Sequence, residues 1–505
     1  MRNPFPDKQL PLDKLALTFM AGLVMAAVAL VALGDHATAR VQEFSWQEHT
    51  VGADNTAFVM TFNRPMDPQS VEANLTISPE LPGRISWAGR RMAYTLDIPI
   101  PYGETFELSL TEAQDRFAKA SQETHFEAFE GRFQSRDRAM AYIGTQGEEN
   151  GRLVLVNFSQ GGDPVLLTPP ELAVLDFEPY PLGDRLLFSA IEAGANETDN
   201  LMPNLYTVAT GLTPNPPEDW QAAAEPVSVA PDEAGTLTPI LDSEVYQNLA
   251  FDLSPNGRVI VVQRVNQSEP EDFGPWVLRE GEEPSPLNTE PGGEFLIGPD
   301  NQTLLMLQGQ GTAIIPLEME EGAGDRNDPL DFLPEFGRVF DLSSNGSAAT
   351  MVDFNQNDPE RRFMETLVVV TNQGEEQELL TVTGAILNAQ FDPTDQIVYV
   401  LASELLPGPV YQEQPFLAAI NLKAQEPLRL LNFPPQSRAS MSIAPDGLAA
   451  LVEMAVPNES SPGIFSVQTI LVPLFTTTEE RLTGTPAQNT SQVLPYSGLL
   501  PTWLP

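Results

Sequence analysis

The chain has no cysteine. That excludes disulfide staples and thiolate chemistry. Its three histidines, His36, His49 and His125, all precede residue 126. The remainder can therefore build neither a histidine-based zinc site nor a Ser-His-Asp triad. Basic residues are scarce: 26 Lys and Arg stand against 70 Asp and Glu, for a net charge of −44. The lysines are Lys8, Lys14, Lys119 and Lys423. So negative a surface repels phosphate backbones and anionic lipid heads, which excludes nucleic acid as a partner. The shortage of Lys also weighs against a phosphate substrate. No GxSxG elbow, HExxH pair or GxxxxGK[ST] loop occurs.

What is present is a chain able to fold and rich in turns, with 42% hydrophobic residues, 47 Pro and 35 Gly in 505 residues. One uninterrupted apolar run, Leu15 to Gly34, carries no charge. As a helix it would span about 30 Å, the hydrocarbon thickness of a bilayer. Arg2, Lys8 and Lys14 precede it and Asp35 follows. The positive-inside bias then predicts residues 1–14 in the cytoplasm, an anchor over 15–34 in the inner membrane, and the rest in the periplasm or outside. Ala37-Thr38-Ala39 resembles a signal-peptidase site, so a cleaved leader is the rival reading.

Residues 41–125 read as a small β-sandwich. Met92, Tyr94 and Leu96 alternate with polar or small neighbours, as do Phe106, Leu108 and Leu110, so each strand has one buried face. Polar turns separate the strands at Asn63 to Asp67, Pro79 to Gly83 and Pro99 to Gly103. Phe62-Asn-Arg-Pro-Met-Asp67, Leu75-Thr-Ile-Ser-Pro79, Trp87 and Pro101-Tyr-Gly-Glu-Thr-Phe106 resemble the bacterial Ig-like domain of S-layer and surface proteins, the SbsA type. The resemblance implies a spacer or adhesion module without catalytic residues. Trp46 and Trp87 are expected in the inter-sheet core.

From residue 126 to 505 a unit of roughly 45 residues recurs, the period of a four-stranded propeller blade. Its marker is a polar turn between the first two strands, anchored at Asp137, Asp184, Gly257, Asn301, Gly346, Asp395 and Gly447. Apolar runs follow, such as Val259 to Val262 and Ile397 to Leu401, and a fourth strand is expected to end each unit, in the last one near Arg481-Leu-Thr483. Ser254-Pro-Asn-Gly257 and Ala444-Pro-Asp-Gly447 resemble the Ser-Pro-Asp-Gly turn of TolB-type, WD-like propeller repeats; the other turns are eroded. The fold class is therefore all-β: an N-terminal transmembrane helix, an Ig-like sandwich and a propeller of about seven blades. The tail, Ser497 to Pro505, is expected to complete the first blade. Gly211 to Glu244, rich in Pro, Ala, Asp and Glu, is expected to be a long loop.

Loops between the second and third strands share one end of a propeller with the blade-to-blade connections. Here they are long and acidic. Glu269, Glu271, Asp272, Asp358 and Glu360, with Arg361 and Arg362 as local exceptions, make the candidate partner-binding rim. A solvated acidic surface accounts for the same residues. No catalytic or cofactor-binding residue stands out. Glu318 to Asp331 clusters carboxylates but misses EF-hand spacing, with Pro329 where a ligand belongs. The preferred expectation is a non-enzymatic, membrane-anchored platform in the cell envelope with a protein partner, in keeping with what the TolB-type resemblance implies. The alternative is a calcium-dependent propeller hydrolase, lactonase- or phytase-like. Carboxylate pairs across the ring are distant in sequence and cannot be read from it.

Overall fold

The computed structural model describes residues 15–25, 38–116, 126–194, 202–212, 232–309, 311–318, 327–333, 337–435, 439–457, 465–488 and 490–505. Residues 15–25 are helical, and Leu15, Leu17, Phe19 and Met20 expose more than half of their surface. Among the described residues no helix is long and apolar enough to cross a membrane. Residues 26–34 of the expected anchor, and 1–14 before it, lie outside the described residues.

Two four-stranded sheets follow. One orders Val41–Phe44, Ala57–Phe62, Arg91–Leu96 and Gly83–Ala88; the other Thr50–Val51, Phe129–Ser135, Thr105–Leu110 and Leu75–Ser78. Period-two patterning sends Phe58, Met60, Phe62, Met92 and Phe106 inward, each with no exposed surface. Phe106 stacks on Phe133 at 5.1 Å across neighbouring strands. Trp46 is buried in this core, and Trp87, half-buried, stacks on Phe62 at 5.7 Å. Asp67 caps the short helix Pro68–Asn74 by accepting from Ser70 N–H. The unit runs to Ser135, past the expected boundary at residue 125, because Phe129–Ser135 pairs along the whole of Thr105–Leu110.

Among the described residues seven antiparallel four-stranded sheets make up the rest. Blade 2 begins its inner edge with Leu172–Pro179, blade 3 with Tyr246–Leu253, blade 4 with Phe295–Ile297, blade 5 with Val339–Leu342, blade 6 with Ile386–Phe391 and blade 7 with Ala439–Ile443. Blade 1 takes its inner strand, Gly498–Trp503, from the far end of the chain, paired with Ala139–Gly144. All but one of the propeller's buried hydrophobic clusters draw on two neighbouring sheets. The cluster of Met140, Tyr142, Leu451 and Trp503 joins the last blade to the first. No sheet has to bury both faces alone, and the ring closes as a β-propeller.

The recurrent turn has a physical cause. Gly257, Asn301, Gly346, Asp395 and Gly447 all have φ between 55° and 70°, the left-handed region that Gly, Asn and Asp tolerate. Each donates its N–H three residues back, as Gly257 does to Ser254 at 2.7 Å. Where the residue is glycine it lies against the preceding blade's turn proline: a Cβ at Gly257 would meet Pro181 at 2.9 Å, and one at Gly447 would meet Pro393 at 3.3 Å. Where it is Asn or Asp the side chain reaches back instead. Asn301 Oδ1 accepts from Asn256 N–H at 2.8 Å, and Asp395 Oδ1 from Ser344 N–H at 3.0 Å. The eroded motifs are thus an alternative junction between blades.

Four sequence expectations shift. The blade 2 turn centres on Gly183, one residue before Asp184, with φ 69°. Asp137 is no blade turn, since its blade's inner strand comes from the C-terminus; its carboxylate accepts from Asn157 and Gln160. Leu237–Leu241, inside the expected long loop, is the outer strand of blade 2. Arg481-Leu-Thr483 is not an outer strand but the end of the helix Thr478–Thr483, nucleated by the Thr477–Glu480 capping box; Gln492–Val493 takes the outer place.

The sandwich docks on the turn end of the ring. Asp446, in the turn of blade 7, is 1% exposed and accepts from Tyr102 N–H at 3.0 Å and Arg138 Nη2 at 2.8 Å. Arg481 donates to Pro99 O at 2.9 Å, and Arg136 to Pro181 O at 2.9 Å. The opposite end, where the inner strands begin, is the one these contacts leave untouched.

Candidate functional site

The inner strands line a channel, and their side chains tie neighbouring blades together. Glu178 accepts from Leu253 N–H at 2.8 Å, Asp252 from Ile297 N–H at 2.5 Å and Asp341 from Phe391 N–H at 2.8 Å. Gln390 accepts from Ile443 N–H at 3.0 Å, and Ser442 from Trp503 N–H at 3.1 Å. These residues occupy one register position, a residue before the backbone N–H that receives the previous blade's acceptor. Two seams lack the tie. Blade 4 places the apolar Leu296 there, and blade 2 presents Pro179, which has no N–H.

Enclosing carboxyls in the channel wall favours their neutral forms. Burial lifts Glu178 well above the usual range, and the neighbouring Asp252 adds to it. Burial takes Asp252 up to about 7 against the opposing Ile297 N–H bond, and Asp341 up to about 7 against bonds from Phe391 and Leu342. Asp176, two residues before Glu178, is an exposed residue of the channel wall whose carboxyl is nonetheless crowded by protein. That enclosure raises it, and the N–H bond from Phe177 at 2.9 Å partly offsets the rise.

Towards the open end the channel widens into a cavity of about 570 Å³ walled by blades 2 to 6. Asp176, Gln263, Thr312 and Asn388 supply its polar wall; Phe251, Phe273, Phe295 and Phe340 supply the apolar one. At the mouth Arg338 Nε meets Glu294 Oε2 at 2.8 Å, and its guanidinium lies 5.1 Å from the Phe340 ring centre. Gly292 is required at this rim: a Cβ would sit 2.4 Å from Met306. The size and mixed lining are those of a small-molecule site.

The expected rim residues fall at the same end but do not converge on one centre. Asp272 is held by Tyr246 Oη at 2.7 Å and Asn266 Nδ2 at 3.1 Å, which keep its carboxyl below the usual range; its chain neighbour Phe273 enters the cavity wall. Glu269 and Glu271 are exposed on that loop. In blade 5, Arg361 pairs with Glu378 at 2.9 Å and Asp358 at 3.8 Å, Asp358 accepts from Glu360 N–H, and Arg362 lies 6.0 Å from the Phe363 ring centre. None of these seven residues lines the cavity. Sequence reasoning missed Asp176, Gln263 and Thr312. Only Gln263 left a trace, a polar residue directly after the apolar run Val259 to Val262.

Among the described residues no group of three or more His, Asp or Glu is spaced to hold a metal ion. Residues 319–326 of the Glu318–Asp331 cluster lie outside them. The residues on view do not fit a calcium centre.

A closed ring of four-stranded blades with a funnel at one end is the shape of a propeller protein. No protein-family model matches the chain, and no curated protein matches it in sequence. Solved structures do. TolB from Acinetobacter baumannii is 11% identical, with TM-score 0.38 over 72% of this chain and 82% of its own. An oligogalacturonate lyase from Vibrio parahaemolyticus is 10% identical, with TM-score 0.41 over 67% and 91%. A puromycin hydrolase is 14% identical, with TM-score 0.38 over 78% and 61%. The structural neighbours include TolB and other propeller proteins, consistent with a TolB-type propeller. Several are enzymes, and on that finding the expectation of a non-enzymatic envelope platform is corrected. At such identities the likeness concerns the fold alone and transfers no substrate.

Proposed function

We propose that the chain is a propeller enzyme of hydrolytic type, working at the open-end funnel, with Asp176 as its general acid. One observation carries this: a carboxyl with raised proton affinity stands in the wall of a cavity of about 570 Å³. A carboxyl whose proton affinity is raised by burial is better placed to protonate a leaving group, and such transfer contributes about 10²–10⁴-fold to rate. The lactonase- or phytase-like form of the reading would also need calcium, and among the described residues no group of three or more His, Cys, Asp or Glu could hold a metal ion. A phosphate substrate is disfavoured because Arg338, the cation at the mouth, already faces Glu294.

The remaining features belong to delivery. The sandwich is proposed as the Ig-like spacer of its resemblance, and residues 15–34 as a membrane anchor holding the propeller outside the cytoplasm. A helix showing apolar side chains to its surroundings over 15–25 is at home in lipid. The test is a screen of the purified protein on chromogenic glycosides, esters and peptides, with Asp176→Asn beside it. A hydrolysed substrate whose turnover falls ~10²-fold or more in the variant supports the reading. Turnover equal in both, or stimulated many-fold by calcium, overturns it.

A further inference from the structure

We infer that the funnel holds an uncharged, hydroxyl-rich ligand, a neutral sugar unit, whose hydroxyls meet Gln263 and Thr312 while its carbon face lies on the phenylalanine wall. The inference rests on the funnel being the working site and adds the class of molecule it takes. Gln263 is 5% exposed and Thr312 is 2% exposed, and both line the cavity. Gln263 Oε1 and Thr312 Oγ1 are buried without a hydrogen-bond partner among the described residues. The Gln263 amide is oriented by its own nitrogen, which faces Gly292 O at 3.5 Å, so the unmet atom is an acceptor. A buried polar atom left unmet costs about 1–3 kcal/mol. Two on one cavity wall are explained by a ligand that brings donors to both. A hydroxyl suits each: it donates to the amide oxygen and can donate to or accept from the threonine.

Charge selects against the other donors. Among the described lining residues the cation is Arg338, and its contacts with Glu294 and the Phe340 ring weaken its pull on a uronate or a phosphate. Burial raises the proton affinity of Asp176, which weakens it as an anchor for an ammonium group. What remains complementary is a neutral molecule with hydroxyls along its edge and an apolar C–H face. Phe273, Phe295 and Phe340 offer ring surface to that face.

The experiment is calorimetric titration of the full chain with cellotriose, maltotriose and trigalacturonate. At least one neutral trisaccharide should bind saturably, and trigalacturonate at least ~10-fold more weakly, a gap of about 1.4 kcal/mol. Gln263→Leu and Thr312→Val should each weaken the neutral sugar by ~10-fold or more, and Thr312→Ser should retain it. Should Gln263→Leu fail to fold, the Thr312→Val and Thr312→Ser pair decides, with melting curves as the control. Trigalacturonate binding as tightly as the neutral sugars overturns the inference. So does the absence of saturable binding by either neutral sugar, or indifference to Thr312→Val. Asp176→Asn keeps the two readings apart. If it abolishes turnover but not binding, both stand. Binding with no turnover by the unaltered protein on the bound sugar removes the enzyme and leaves the ligand class.

Discussion

Blades 5 and 6 meet differently from blades 4 and 5. Between 5 and 6, Val352, Leu367 and Val369 interlock with Phe391, Val400 and Phe416, all at most 8% exposed. Asp341 ties the inner strands at 2.8 Å and Glu365 accepts from Ile386 N–H at 2.7 Å. Between 4 and 5 the cluster is Ala349, Met351, Val368 and Val370, all of blade 5, with Leu333 packed against it from blade 4. A crevice of about 630 Å³ separates Leu305 and Ile314 from Leu342 and Ala349. Leu296 provides no acceptor to the next blade. One repeat therefore yields seams of unequal strength, since cohesion comes from what two neighbours contribute jointly. Local opening free energy follows buried apolar contact, so the seam between 4 and 5 is where the ring should open first.

The largest test of that comparison removes a seam altogether. Deleting 497–505 strips blade 1 of its inner strand and takes Trp503 from the core shared with blade 7. The melting temperature should fall by many degrees; an unchanged melt would mean that ring closure does not carry stability.

Next, Asp341→Leu should bring the strong seam towards the weak one. It leaves Phe391 N–H without its acceptor, at a cost of about 1–3 kcal/mol. Native-state hydrogen exchange should then quicken in blade 6, while blade 4 keeps its original rate.

The third concerns pH. Asp252 binds its proton more tightly folded, up to about 7, than it would in the unfolded chain. Between the two values the native state carries the extra proton, so stability from this group is full below about pH 4 and is lost as pH rises through about 7. Asp252→Asn keeps an acceptor for Ile297 N–H but cannot ionise. Chemical denaturation at pH 5 and pH 8 should show a shallower decline for the variant; parallel declines would refute the assignment. Glu178, the coupled neighbour, contributes in the same direction.

The smallest effect is expected from Leu296→Asn, which offers Leu342 N–H an acceptor on the neighbouring blade beside the Asp341 Oδ1 it already has. A gain of about 0.5–1 kcal/mol is the ordinary yield of one such bond. A loss would show that Leu342 N–H, already bonded to Asp341 Oδ1 at 2.8 Å, has no need of it.

How much of this was legible in the sequence follows from range. The left-handed turn is a local demand on φ, so Ser254 to Gly257 and Ala444 to Gly447 announce it, and Asn or Asp can stand in at Asn301 and Asp395. A continuous apolar run after the turn is equally local, and it located strands such as Val259–Asn266 and Ile397–Leu405. The helix Thr478–Thr483 is hidden because its capping box lies inside a stretch where the repeat spacing predicts a strand. The acidic loops could be located by connectivity, yet their order in the chain says nothing of which side chains converge.

By itself the sequence determined the repeat, the strand faces and the charge, because each depends on residues a few positions apart. Only the closing of the ring decided the funnel. It set Asp176 of blade 2 in one cavity with Thr312 of blade 4 and Asn388 of blade 6. It also decided which blades are tied and which merely touch. Those relations span hundreds of residues, and no local preference of the backbone encodes them.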